Sequence, residues 1–250
     1  MPATHDEGMN ETMTALVTGA NKGIGKEIAR QLGQLGHTVL LGARDVERGR
    51  SAAAELVVEG LDVRFVQLDV TDQASVAAAA KTIDDEHGVL DSLVNNAGLT
   101  HGMSLPSEAS VEDVAATYAT NVFGVIAVTN AVLPLLRRST AGRIVNVSSD
   151  LGSLTRQQDP ATPYYGQPPL LAYSSSKTAL NGVTVAYAQE LETTGVKVNA
   201  VNPGYCATDL NDHAGHLPAA EGAKVIVQAA VVPDDGPHGA FFTDGGTLPW

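Results

Sequence analysis

The sequence predicts a doubly wound parallel α/β sheet in three layers, Rossmann-like in plan, and three observations carry that prediction. Short β-branched apolar runs alternate with longer stretches in which Ala, Leu, Ile and Val recur at helical spacing. Most of the short runs are apolar on both faces, and a strand buried on both faces needs helices above and below it. A chain of 250 residues with no linker or internal repeat suits a single α/β unit of this kind.

The elements follow in order. Strands are predicted over 14–17, 38–41, 63–68, 92–94, 143–147 and 197–201, with a last one over 241–243. Helices are predicted between them over 24–35, 46–59, 73–87, 111–136, 171–192 and 219–231. Asp45 stands where the second helix needs an N-cap. Right-handed crossovers bring each strand back parallel to the one before. Residues 1–12 are polar and acidic, with neither a basic start nor an apolar run, and read as a flexible tail before a catalytic unit over 13–250.

Composition narrows the function. The chain has 28 acidic and 15 basic side chains, a formal charge of -13, so a polyanion is repelled from much of its surface and nucleic acid is not an expected partner. Cys206 is the single cysteine, which excludes an internal disulfide framework and a thiolate zinc cluster. No run reaches about 18 uninterrupted apolar residues, so no membrane-spanning segment is expected, and the cytoplasm is the expected address.

The first chemical signal is Thr18-Gly19-Ala20-Asn21-Lys22-Gly23-Ile24-Gly25, between the first strand and the first helix. Gly19 can turn the chain sharply, while Gly23 and Gly25 carry no Cβ to keep a pyrophosphate from the backbone N–H groups at the helix N-terminus. No Gly-Lys-Ser/Thr closes the loop, which disfavours a nucleoside triphosphatase. A second signal is Tyr173-Ser174-Ser175-Ser176-Lys177: positions i and i+4 of a helix lie on one face, close enough for an ammonium to act on a phenol. A nearby cation favours phenolate, so the expected shift of the Tyr173 pKa is downward. That spacing is common enough to be weak evidence when taken by itself.

The order of these landmarks resembles the short-chain dehydrogenase/reductase family. The Thr18 to Gly25 loop is similar to that family's T-G-x-x-x-G-x-G, Asn95-Asn96-Ala97-Gly98 to its N-N-A-G, and Asp69-Val70 stands where the family contacts adenine. Pro203-Gly204 follows the sixth strand, and Thr208 matches the residue that holds the nicotinamide carboxamide. The resemblance runs from about Thr14 to the C-terminus. It implies a catalytic set of Asn121, Ser149, Tyr173 and Lys177: Tyr173 donates the proton, Ser149 orients the carbonyl oxygen, Lys177 holds the nicotinamide ribose, and Asn121 carries a water that links Lys177 to solvent. Ser148 competes with Ser149 for the serine role. The expected cofactor contacts are Gly19, Asn21, Lys22, Gly23, Ile24, Gly25, Arg44, Asp69, Val70, Asn96, Ala97, Gly98, Tyr173, Lys177, Pro203, Gly204 and Thr208, with no metal.

Cofactor choice follows from residue type. An acidic residue at the end of the second strand would hold the ribose hydroxyls and repel a 2′-phosphate, whereas Arg44 stands there and Lys22 offers a second cation. NADP(H) is therefore expected. Ala43-Arg44-Asp45 and Gly236-Pro237-His238-Gly239-Ala240-Phe241-Phe242 further resemble the family's single-domain carbonyl and menthone reductases. The expected activity is hydride transfer between NADPH and a ketone, aldehyde or quinone. The alternatives are an alcohol or steroid-like dehydrogenase working oxidatively, an isomerase, dehydratase or epimerase on the same site, and a catalytically silent NADP sensor. A substrate loop over 150–171 and a short lid over 209–218 are expected, and Tyr164 and Tyr165 either line the pocket or pack the loop. The loop is intermediate in length between tetrameric and monomeric members, which implies a monomer or homodimer rather than a tetramer.

Overall fold

The computed structural model describes residues 12–102 and 105–250. The tail expected over 1–12 lies, through residue 11, outside the described residues. Seven strands form one parallel sheet: β1 (Thr14–Thr18), β2 (Thr38–Ala43), β3 (Val63–Gln67), β4 (Ser92–Asn95), β5 (Arg143–Val147), β6 (Lys197–Val201) and β7 (Phe241–Thr243). A two-residue strand, β8 (Gly246–Thr247), folds back antiparallel on β7, giving the order β3-β2-β1-β4-β5-β6-β7-β8. Every residue of β1, β2, β4 and β5 is buried, as a central parallel strand requires. The sheet and its two covering layers are those predicted.

One apolar core packs α1 (Gly23–Gln34), α2 (Val46–Val58) and α8 (Ala219–Ala230) on one face. A second packs α3 (Gln73–His87), α5 (Val125–Leu136) and α7 (Leu171–Leu191) on the other. Asp45 caps α2 by accepting a hydrogen bond from Arg48 N, as the sequence suggests, and Asp72 caps α3 in the same way. Buried polar side chains stitch the centre: Asn95 Nδ2 donates to Asn146 Oδ1 at 2.9 Å, and Asn146 Nδ2 donates to Thr184 Oγ1 at 2.9 Å.

The long helix expected over 111–136 is interrupted. It runs as α4 (Val111–Tyr118), a π-helical turn (Ala119–Gly124) and α5. By length and composition this stretch could cross a membrane, but more than half of its most apolar part is buried inside the fold, as in a core helix. The strand order reverses between β1 and β4, and that switch point opens a crevice at the C-terminal ends of the strands.

Candidate active site

The crevice is a cleft of about 1660 Å³. Single-ligand pockets run to about 1,000 Å³, so this one has room for a cofactor and a second molecule together. All the expected cofactor residues line it, from the glycine loop through Arg44, Asp69-Val70 and Asn96-Ala97-Gly98 to Pro203, Gly204 and Thr208; so do Ser149, Tyr173 and Lys177. Asn121 does not.

The glycine loop is built for a close approach. Gly19 has φ +64, in the left-handed region, and a Cβ there would lie 2.9 Å from Ala97 Cα. A Cβ on Gly25 would lie 2.5 Å from Asn96 Nδ2 and 2.6 Å from Gly19 O. Asn96 is tied into this turn: Nδ2 donates to Thr18 O at 2.9 Å, and the Asn96 and Ala97 N–H groups both donate to Thr18 Oγ1 at 3.0 Å. The helix that follows, α1, has no side-chain cap, unlike α2, α3 and α4, and no acidic residue in its first turn. Its leading N–H groups face the cleft without a capping side chain, as a phosphate site needs.

The two expected cations differ in surroundings. Lys22 pairs with Asp209, the first residue of the segment expected to form a lid, and Asp209 also lies 3.0 Å from His213 Nε2. The Lys22 ammonium holds the Asp209 carboxyl below its ordinary pKa. Arg44 is exposed and has no ion pair among the described residues, so it is the better placed of the two to meet an added phosphate. Asp69 Oδ1 accepts from Thr71 N at 2.9 Å and Thr71 Oγ1 at 2.7 Å, which fixes the turn after β3.

Tyr173 and Lys177 lie one turn apart on α7, with Lys177 Nζ 5.6 Å from the Tyr173 ring centroid. Lys177 is buried, and its Nζ donates to Val147 O at 2.7 Å at the end of β5. The expected downward shift of Tyr173 is corrected here: burial pushes the phenol up, and the facing Ser149 hydroxyl only partly offsets it. Burial also pushes Lys177 down to about 8, which weakens the cation that was to lower its neighbour.

The serines separate cleanly. Ser148 Oγ donates to buried Asn181 Oδ1 at 2.6 Å, whereas Ser149 is partly exposed beside Tyr173 and accepts from Leu151 N at 3.2 Å. Asn121 sits in the π-helical turn, fully buried behind the cleft. Its Oδ1 accepts from Leu99 N at 2.9 Å, and its Nδ2 donates to Leu99 O at 2.8 Å and to Ser176 Oγ at 3.0 Å. The side-chain amide is thus committed to holding Leu99 and α7 together.

Several cleft residues carry no spacing signal in the sequence: Asp150, Arg156, Asn202, Thr243 and the segment from Gly245 to Leu248. Tyr164 and Tyr165 both line the cleft, and Tyr164 also bonds the loop to Asp150 and Arg156. These residues fit a dinucleotide along the glycine loop, with its nicotinamide end toward Tyr173. The uncapped α1 N-terminus, an Arg44 without an ion pair among the described residues and a buried Lys177 ammonium holding one protein acceptor all support that fit.

The model of the short chain dehydrogenase family matches residues 13–217. The (-)-isopiperitenone reductase of Mentha piperita is 36% identical, over 91% of this chain and 95% of that one. An NADPH carbonyl reductase of Sus scrofa is 34% identical, over 96% and 95%. Among solved structures, NADPH-bound carbonyl reductase from chicken fatty liver superposes with a TM-score of 0.84 at 28% identity, covering 96% of this chain and 99% of that one. Salutaridine reductase from Papaver somniferum superposes with a TM-score of 0.80 at 33% identity, covering 93% and 99%. Sequence and architecture agree, and the chain belongs to the short-chain dehydrogenase family.

Proposed function

We propose that this protein reduces a carbonyl compound to its alcohol at the expense of NADPH, with Tyr173 giving the proton to the oxygen. The observation that carries the reading is the alignment of Ser149, Tyr173 and Lys177 along the same cleft as the glycine loop and Arg44. The relatives named as isopiperitenone, salutaridine and carbonyl reductases support it.

NADPH, when bound, supplies the hydride. The α1 N-terminus and Arg44 hold the phosphates, and Lys177 and Thr208 orient the nicotinamide end. Ser149 donates a hydrogen bond to the carbonyl oxygen and fixes it against the Tyr173 hydroxyl. Because burial raises the Tyr173 pKa, the phenol keeps its proton through neutral pH, as a proton donor must. Asn121 holds Leu99 at the helix bend and, as the resemblance implies, carries the water that links Lys177 to solvent.

Tyr165, Tyr205 and Leu210 line the cleft while largely exposed, so its mouth is apolar and suits a bulky, weakly polar ketone or aldehyde. We read residues 13–250 as one catalytic unit, working in the cytoplasm as a monomer or homodimer, with neither nucleic acid nor a membrane as partner. The test is NADPH consumption against a panel of ketones, aldehydes and quinones, with wild type and Tyr173→Phe side by side. Wild type should turn over members of the panel, and the variant should lose about 100-fold or more in rate while still binding NADPH. Equal turnover by both would remove Tyr173 from the role.

A further inference from the structure

A charged cluster beside Ser149 has no part in the chemistry above. Asp150 follows Ser149 in the chain and opens the 3-10 turn Asp150–Gly152. Its Oδ1 accepts from Asn202 Nδ2 at 2.7 Å, just beyond the end of β6. Its Oδ2 accepts from the Tyr164 hydroxyl and lies 3.2 Å from Arg156 Nη2. Arg156 Nη2 also donates to the Tyr164 hydroxyl at 3.0 Å, and the guanidinium stands 5.8 Å from the Tyr164 ring centroid. Arg156 belongs to the short helix α6 (Leu154–Gln158).

Residues 159–170 form neither helix nor strand. Among the described residues, the Tyr164 hydroxyl makes the only hydrogen bond from 159–169 that reaches past α6. The side chains of Asp150 and Arg156 are only 20% and 29% exposed, so their pairing is screened less than a surface bridge. Burial and the Asp150 carboxylate both raise the Tyr164 pKa, which keeps the hydroxyl protonated and able to donate. Residues 163–169 line the cleft, so removing this one hydroxyl would leave that stretch of wall with no hydrogen bond past α6.

We infer that Asp150 is a positioning residue: through Tyr164 and Arg156 it clamps the substrate loop at a fixed distance from Ser149 and so sets the affinity for the carbonyl substrate. The kinetic part of this inference rests on the reductase reading; the structural part does not. Both can be read on the full chain with Tyr164→Phe, Asp150→Ala and the double variant. Amide hydrogen exchange of 159–169 without substrate should quicken about tenfold or more in each single variant, with α7 unchanged. The double variant should exchange no faster than Asp150→Ala. With a carbonyl that wild type reduces, Tyr164→Phe should raise its KM about five- to tenfold, leaving the NADPH dissociation constant and the melting temperature in place.

Unchanged exchange in Tyr164→Phe, or effects that multiply in the double variant, overturns the clamp. A KM for the carbonyl that stays constant while the loop loosens overturns its role in affinity. If wild type reduces no carbonyl, the reductase reading falls, and the exchange data still decide the clamp. Should Asp150→Ala lower the melting temperature through the lost Asn202 bond, Tyr164→Phe, which touches neither that bond nor the core, decides between clamp and no clamp.

Discussion

Lys177 shows what a buried catalytic charge costs. Its ammonium has one protein acceptor, Val147 O, and burial brings its pKa from 10.5 down to about 8. The unfolded chain therefore binds more protons than the folded one between about pH 8 and 10.5, and this group's contribution to stability rises with pH across that window. Below pH 8 the full cost of the buried charge is present. Lys177→Met should abolish turnover yet be more stable than wild type at pH 7, by about 1–3 kcal/mol once the lost hydrogen bond is set against the relieved charge. Urea unfolding at pH 7 and pH 10 checks it, and the advantage should shrink at the higher pH; a variant less stable at pH 7 would refute the burial cost. Arg44 is the complementary case, an exposed cation without an ion pair among the described residues. A charge-assisted contact to phosphate is worth about 1.5–3 kcal/mol, so Arg44→Asp should cut kcat/KM for NADPH on the order of 100-fold and leave that for NADH equal or higher. An undiminished NADPH preference in that variant would mean the 2′-phosphate is read elsewhere.

The glycine turn and α1 work as one element because the turn's backbone is packed against Asn96. A methyl group on Gly25 would fall 2.5 Å from Asn96 Nδ2 and 2.6 Å from Gly19 O, between atoms that are themselves 3.2 Å apart. Gly25→Ala should cost about 1–3 kcal/mol of stability by overpacking and weaken NADPH binding at least tenfold, read by denaturant unfolding and fluorescence titration. Gly182, exposed inside α7 with nothing within 4 Å of an added Cβ, is the control: Gly182→Ala should stabilise by about 0.5–1 kcal/mol and leave binding alone. At this scale the helices and strands are legible in the sequence because their apolar periods are local. The π-helical turn is not, since Ala119 to Gly124 reads as continuous helix; where it ends, Gly124 packs so closely on Val70 that a Cβ there would lie 2.8 Å from Val70 Cγ2, a contact no local period reports. Spacing within one element exposes Tyr173 and Lys177. The Asp150 cluster joins residues 6 to 52 positions apart, and its partners Tyr164 and Asn202 lie 14 and 52 positions away with no periodicity to betray them. The sign of the Tyr173 shift escapes the sequence for the same reason, because spacing reports the neighbouring cation but not how deeply both groups are buried.

Over the whole molecule, the net charge of -13 opposes the arrival of an anionic cofactor, while Arg44 and the α1 N-terminus attract it locally. The two effects act at different ranges. Repulsion from charges spread over the surface works across tens of ångströms, and the Debye length falls from about 30 Å at 0.01 M salt to about 10 Å at 0.1 M. Contacts within a few ångströms of the bound phosphates are screened far less. Raising ionic strength over that interval should therefore remove more repulsion than attraction, and the KM for NADPH should fall about two- to threefold. A cleft dominated by a wide basic field would respond in the opposite direction. NADH, with less negative charge, should show the same sign and a smaller change. Initial rates at fixed carbonyl concentration, with sodium chloride varied and pH held constant, measure both. A KM for NADPH that climbs steadily from 0.01 M to 0.1 M salt would mean that local cations outweigh the acidic surface at every range.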